Sequence, residues 1–417
     1  MKRRGFLRLL AGEAAALSLR GASSAYQVGV GNSSDPYTAT QRAVAASGQF
    51  PAVAGRTVVI KPNLVEGRPA SSGATTDPQV VRALVDLAIA SGAAHIVVAE
   101  GGAGANPVPF TNCGYNFFAS YDPRVELLDL GNQPYRAVAV PSGLALKSLY
   151  VPDLILDPSV VLISAAKLKT HSNAVATGSM KNLFSFPVPA LYSVACKFLK
   201  RQDLHYRGVD QCIVDVSLVA GARFAVIDGV VGMQGDGPLF GQPVTMNLVI
   251  AGLNSLAVDR VALQAMQISQ NAVPHLIYAA LRGLGPINLA NVTILGDPYT
   301  PYAFAPAPTP PIIWRPSVFP SSFSPTAGQK PAILYAVAEA CETRAEIILD
   351  SDTSPGITVV KTLHDWTKRS AGVQMLTWAG DTDSGGAASP GLYLVRVMST
   401  RNKSAIGYAS AWVTVTS

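Results

Sequence analysis

The chain has 417 residues, 49% of them hydrophobic and 14% charged, a balance that supports a large buried core and excludes an intrinsically disordered protein. At roughly 100 to 200 residues per domain this length implies two or three domains, so a single small binding module is excluded. The net charge of +6 is concentrated at the N-terminus, where Lys2, Arg3, Arg4, Arg8 and Arg20 face only Glu13; the rest of the chain carries no excess that would imply nucleic acid.

Residues 1–25 predict a signal peptide. A basic stretch from Lys2 to Arg8 leads into an alanine- and leucine-rich run to Leu19, and small residues through Ala25 offer a cleavage site. Arg3-Arg4 followed by Phe6 and Leu7 resembles a twin-arginine signal, and the apolar stretch interrupted by Glu13 and Arg20 is weakly hydrophobic, as that export route favours. The mature chain is therefore expected to be exported and to end up periplasmic, extracellular or at the cell surface. No later window holds the roughly 18 to 20 uninterrupted apolar residues of a membrane-spanning helix.

From Thr57 to Gly296, short β-branched runs alternate with helical patterns, which predicts a mostly parallel sheet flanked by helices. Thr57–Ile60 is the first strand. Asp77 caps a helix that opens with Pro78, carries Val81, Leu84, Val85 and Ala88 on one face, and stops at Gly92. Further strands are expected at His95–Ala99, Val125–Leu128, Val160–Ser164, Phe224–Ile227, Leu248–Ala251 and Val292–Leu295. Helices are expected near 209–220 and 255–267, the second capped by Asn254. Prolines cluster between Pro301 and Pro331, so the domains are drawn as 26–300 (α/β), 301–331 (stiff linker) and 332–417. The last of these alternates apolar and polar residues between turns (Ala345–Leu349, Ile357–Lys361, Val373–Trp378, Gly391–Ser399, Ala405–Val415), as a small antiparallel sandwich does.

Ligands of an open parallel sheet bind outside the carboxyl ends of its strands, and those positions are unusually polar here. Lys61 and Asn63 follow the first strand, Glu100 the next, Lys167, Lys169 and His171 a third, and Asp228 a fourth. If residues 167–171 are extended, Lys167, Lys169 and His171 share one face, and Lys181 and Asn182 follow in the same stretch. Such a set suits a carboxylate or phosphate, with lysines neutralising charge, His171 moving a proton near neutral pH, and Asp228 as a second carboxylate. In the glycine-rich stretch after Asp228, Gly235 and Gly237 allow backbone amides to approach a ligand; Asp228, Asp236 and Asp259 are the candidate ligands of a divalent metal. His205 and Asp215 read more simply as residues at or near a helix. Dinucleotide, P-loop, zinc-protease, serine-hydrolase and kinase signatures are all absent from the sequence. Cys113, Cys196, Cys212 and Cys341 are scattered, so no iron-sulfur cluster is expected in this chain, and either buried thiols or two bridges are compatible with their spacing.

The ordered pieces Val59-Ile60-Lys61-Pro62-Asn63-Leu64, Thr76-Asp77-Pro78, Lys167-Leu168-Lys169-Thr170-His171, Gly178 to Phe184, Asp228-Gly229, Gly235 to Pro238 and Ala257-Val258-Asp259 resemble the family catalogued as domain of unknown function 362, over about residues 50–297. The resemblance implies an α/β domain, sometimes joined to iron-sulfur segments. It marks Lys61, Asn63, Lys167, Lys169, His171, Lys181, Asn182, Asp228 and Asp259 as motif positions without assigning roles. The tail, from Trp378 to Gly385 and from Ser389 to Val397 with Tyr393 on a central strand, is similar to immunoglobulin-like domains of the flagellar hook-cap type. The expectation is an exported protein that binds, and as an enzyme transforms, an anionic small molecule. One alternative is a non-catalytic envelope binding or adhesion protein that meets a surface partner through its C-terminal domain; a second is a redox-associated protein.

Overall fold

A computed structural model describes residues 26–102, 107–193, 201–350 and 358–417. The expected signal segment 1–25, Cys196 and Ile357 lie outside the described residues.

The helices are α1 (Pro36–Ala46), α2 (Pro78–Ala90), α3 (Asp153–Leu156), α4 (Ser179–Asn182), α5 (Pro189–Tyr192), α6 (Gln202–Val219), α7 (Ser255–Ala265) and α8 (Pro274–Leu281). One large sheet runs through the first part, in the order β11 (Val292–Gly296), β1 (Tyr26–Asn32), β10 (Gln242–Gly252), β9 (Phe224–Gln234), β7 (Val161–His171), β2 (Thr57–Pro62), β3 (His95–Glu100), β4 (Val125–Asp129), with β8 (Val175–Thr177) beside β7. From β9 to β4 neighbouring strands are parallel, and β10 is antiparallel to both β9 and β1. A hairpin of β5 (Tyr135–Ala139) and β6 (Ser148–Pro152) stands apart.

Strands buried on both faces carry mostly apolar side chains, and the first half of β7 shows the result. Leu162, Ala166 and Leu168 enter a core shared with α6, α7 and α8, whereas Val161, Ile163 and Ala165 enter a second core beneath α1 and α2. The caps expected from sequence are present: Asp77 accepts from Gln79 N ahead of Pro78, and Asn254 accepts from Ala257 N. Strands β7, β9 and β10 run longer than their apolar runs indicated, because polar residues continue the pairing beyond the core.

The C-terminal part is built from two sheets, β12 (Ile313–Phe319) with β14 (Ala332–Val337) and β17 (Gly372–Thr377), and β13 (Ser322–Phe323) with β19 (Gly407–Val415), β18 (Gly391–Thr400), β15 (Cys341–Leu349) and β16 (Thr358–Arg369). All pairs are antiparallel except β13 with β19. The sheets share one core in which Trp378 packs against Phe323 and Tyr393. Strands β12 and β13 fall inside the proline-rich 301–331 stretch, so that stretch supplies edges of the C-terminal sheets as well as a connection. Cys113, Cys212 and Cys341 are free and buried. Among the described residues no helix is long and apolar enough to cross a membrane.

Candidate functional site

Strands β3 and β4 extend the sheet to one side of β2, and β7 and β9 to the other, so the strand order reverses between β2 and β7. Connections leave such a point in opposite directions and open a crevice at the carboxyl ends of the strands. A cavity of about 310 Å³ lies there, lined by Lys61 and Asn63 from the end of β2, Glu100 from the end of β3, His171 from the end of β7, Lys181 and Asn182 from α4, and Asp236 and Gly237 beyond β9.

Its floor is a closed polar network. The buried Lys61 Nζ donates to Glu100 Oε2 at 2.8 Å, Asn182 Oδ1 at 2.9 Å and Pro62 O at 2.7 Å. Burial penalises the Glu100 carboxylate, but Lys61 and donors from Leu64 N and Ser185 Oγ outweigh that and hold its pKa below the usual range. Asn63 Nδ2 donates to Asn182 Oδ1 at 3.0 Å, and Lys169 Nζ donates to Asn63 Oδ1 at 2.8 Å. Lys169 thus stands behind the wall and orients Asn63. Buried beside other cations, it has its pKa pushed well down, first by burial and then by Lys167 and Lys181.

Lys181 is different. Its ammonium sits over the Phe184 ring, 4.4 Å from the centroid, and among the described residues it has no hydrogen-bond or ion-pair partner. Burial, then repulsion from Lys61 and Arg201, lowers its pKa to about 7. His171 and His205 line the same cavity. Burial first and Lys181 next push His171 well below its ordinary value, and the same causes take His205 to about 3. Both rings are therefore neutral near pH 7, with opposite tautomers. His171 Nδ1 accepts from Asn173 N, which leaves its proton on Nε2; His205 Nδ1 donates to Arg201 O, which leaves Nε2 as an acceptor. Burial among cations thus disfavours the charged imidazole of His171, and Lys181 is the lining group whose pKa lies near neutrality.

Other expected site residues lie elsewhere. Lys167 Nζ is paired with Asp228 Oδ2 at 2.7 Å, both fully buried, and Asp228 also accepts from Asp77 N and Val230 N. Neither lines the cavity. Asp259 accepts from Ser179 N and Met180 N and so caps α4; Gly178 is required beside it, since a Cβ there would lie 2.5 Å from Asp259 Oδ1. Burial raises Asp259 to about 6 against those hydrogen bonds. Asp228, Asp236 and Asp259 do not converge, and among the described residues no group of three or more His, Cys, Asp and Glu side chains could hold a metal ion. Gly235 supports the wall from outside, its carbonyl accepting from Thr170 Oγ1. Asp215 accepts from the amides of Leu144, Ala145 and Leu146, which ties the loop between β5 and β6 to α6.

Arg201 was not foreseen. It is buried at the cavity edge, donating to the carbonyls of Gly102 at 2.7 Å and Pro187, and burial lowers its pKa to about 10. Its four-residue spacing from His205 is the one signal in the sequence that joins them.

A protein of Synechocystis sp. named as thylakoid-associated is 26% identical over 234 residues, covering 56% of this chain and 70% of that protein. Among solved structures, dimeric latent PorU from Porphyromonas gingivalis matches 26% of this chain and 10% of its own at 14% identity and TM-score 0.21. FlgD from P. aeruginosa matches 25% of this chain and 72% of its own at 15% identity and TM-score 0.19. Scores this low carry no fold assignment. The family model described as Domain of unknown function (DUF362) matches residues 58–264, the stretch that supplies Lys61, Glu100, His171 and Lys181 to the crevice.

Proposed function

We propose that the crevice binds an anionic small molecule, a carboxylate or phosphate, and that Lys181 exchanges a proton with it. The observation that carries this reading is the ammonium of Lys181 on the cavity wall, without an ion-pair partner among the described residues and with Lys61 and Arg201 nearby. A cation without a counterion in a partly desolvated site attracts an anion more strongly than one already paired. The neutral His171, as donor from Nε2, suits an oxygen that gains negative charge, while the His205 Nε2 acceptor suits a hydroxyl or amide of the ligand. Export through residues 1–25 remains part of the proposal, as does an immunoglobulin-like identity for the two C-terminal sheets around Trp378 and Tyr393.

Titration calorimetry of the full chain with inorganic phosphate and with acetate tests the reading. Binding of either anion, weakened at least about tenfold by Lys181→Met, is expected, that factor being ~1.4 kcal/mol for loss of one charge-assisted contact. If no anion binds, or if Lys181→Met binds as well as the natural chain, the proposal fails.

A further inference from the structure

We infer that the crevice is the inner half of a longer cleft whose outer half is walled by the C-terminal sheets, and that the ligand is an extended anion. Its charged end would sit at Lys181 and an uncharged, ring-bearing body would reach the β unit. This rests on the anion reading above and extends it to the shape of the ligand. A second cavity, of about 480 Å³, adjoins the first, and Ser172, Asn173, Gln202 and His205 line both. Its outer wall is made by residues 403–408, with residues 308–313 of the proline-rich segment alongside.

That wall is fastened to the α/β part by specific bonds. Gln211 Nε2 donates to Ser410 O at 2.6 Å, and Ser410 N donates back to Gln211 Oε1 at 2.8 Å. Arg207 pairs with Asp350 at 2.7 Å, and the rings of Tyr206 and Tyr408 meet at 5.3 Å. Helix α6 breaks at Gly208, with φ of 113°, where a Cβ would crowd Gln211 Oε1 at 2.5 Å and Tyr408 O at 3.2 Å. A passive spacer needs no such two-sided fit. In the outer cavity the Asp210 carboxylate is engaged by His275 Nδ1 at 2.7 Å; Lys403, Thr309 and Ser404 contribute polar groups to the lining, and the rest of it includes the faces of Tyr206, Tyr408 and the prolines. Such faces suit a ring.

The test is calorimetry on the full chain with two series, phosphate, phenyl phosphate and naphthyl phosphate, and acetate, benzoate and naphthoate. In at least one series each added ring is expected to tighten binding about tenfold by burying apolar surface. Ala405→Trp, which fills the outer cavity, is expected to return the naphthyl member to the affinity of the ringless one and to leave the ringless one within about twofold, because that anion lies wholly in the inner half. Ile406→Ala, the milder change, costs the naphthyl member alone about threefold. Flat affinities along both series, with ringless anions still bound and still weakened by Lys181→Met, overturn the extension and leave the inner site standing. Failure of every probe to bind overturns both.

Discussion

Lys167 and Lys181 belong to the same motif-rich stretch and both lie at the carboxyl ends of the strands, yet their surroundings are opposite. Lys167 closes on Asp228 at 2.7 Å, and the pair is fully buried. Lys181 faces a cavity, packed on the Phe184 ring and, among the described residues, without an ion-pair partner. A buried charge neutralised by a fixed partner holds strands in place, whereas one left without a counterion beside open space has its interaction energy available for a ligand. The rim therefore contains a closed ion pair between β7 and β9 and, around β2, β3 and α4, the larger part of the proposed binding site.

The largest effect should come from breaking the closed ion pair. Lys167→Met leaves Asp228 charged and unpaired in the interior and is expected to cost about 3–5 kcal/mol in denaturant unfolding. Adding Asp228→Asn should return much of that; a double variant no more stable than the single one would mean that Asp228 is not ionised against Lys167.

Next comes the cap on α4. Asp259→Ala removes the acceptors of two buried amides at the start of α4 and is expected to destabilise by about 2 kcal/mol. It should also weaken anion binding, since α4 carries Lys181 and Asn182. Full anion affinity in Asp259→Ala would separate the cap from the site.

Lys181→Met should reverse the pattern seen for Lys167, raising stability at pH 7, because it removes a cation that burial penalises, while anion binding falls. The pH dependence sharpens this. The folded chain releases the Lys181 proton near 7, whereas an unfolded lysine keeps it to about 10.5. Between those values the unfolded chain binds more protons, so Lys181 makes unfolding free energy rise with pH, by at most ~1.4 kcal/mol per unit. Urea unfolding across pH 7 to 10 should show a shallower rise in Lys181→Met. Equal slopes would mean that Lys181 titrates normally. Anion affinity should run the other way, declining above pH 7 as Lys181 loses its charge.

The smallest effect is expected at His171. His171→Gln retains a donor, so phosphate affinity should drop no more than about threefold, the fraction of a hydrogen bond lost to poorer geometry. A pH optimum set by His171 near neutrality would contradict its neutral state.

Much of the rim was legible in the residues. The sequence placed Lys167, Lys169 and His171 on one face on the condition that 167–171 is extended, as it is in β7, and named Lys61, Glu100 and Asp228 as residues following strands at the edge where ligands of such sheets bind. Strand β1 escaped notice because Gly29 and Gly31 depress strand propensity, although they admit the close approach of α1. Arg201 escaped because its environment depends on the carbonyls of Gly101, Gly102 and Pro187, all distant from it in the chain.

By itself, the sequence determined the alternation of strands and helices, the caps at Asp77 and Asn254, the two-sheet character of the tail and the set of charges at the strand ends. All are local consequences of side-chain periodicity, capping chemistry and turn residues. Only the tertiary structure decided which lysine is neutralised and which has no ion-pair partner among the described residues, because that depends on the distance between residues such as Lys167 and Asp228, brought together by parallel pairing of β7 with β9. It also decided that His171 stays neutral, through burial, and that the C-terminal sheets wall a cavity, through the docking of β19 against α6.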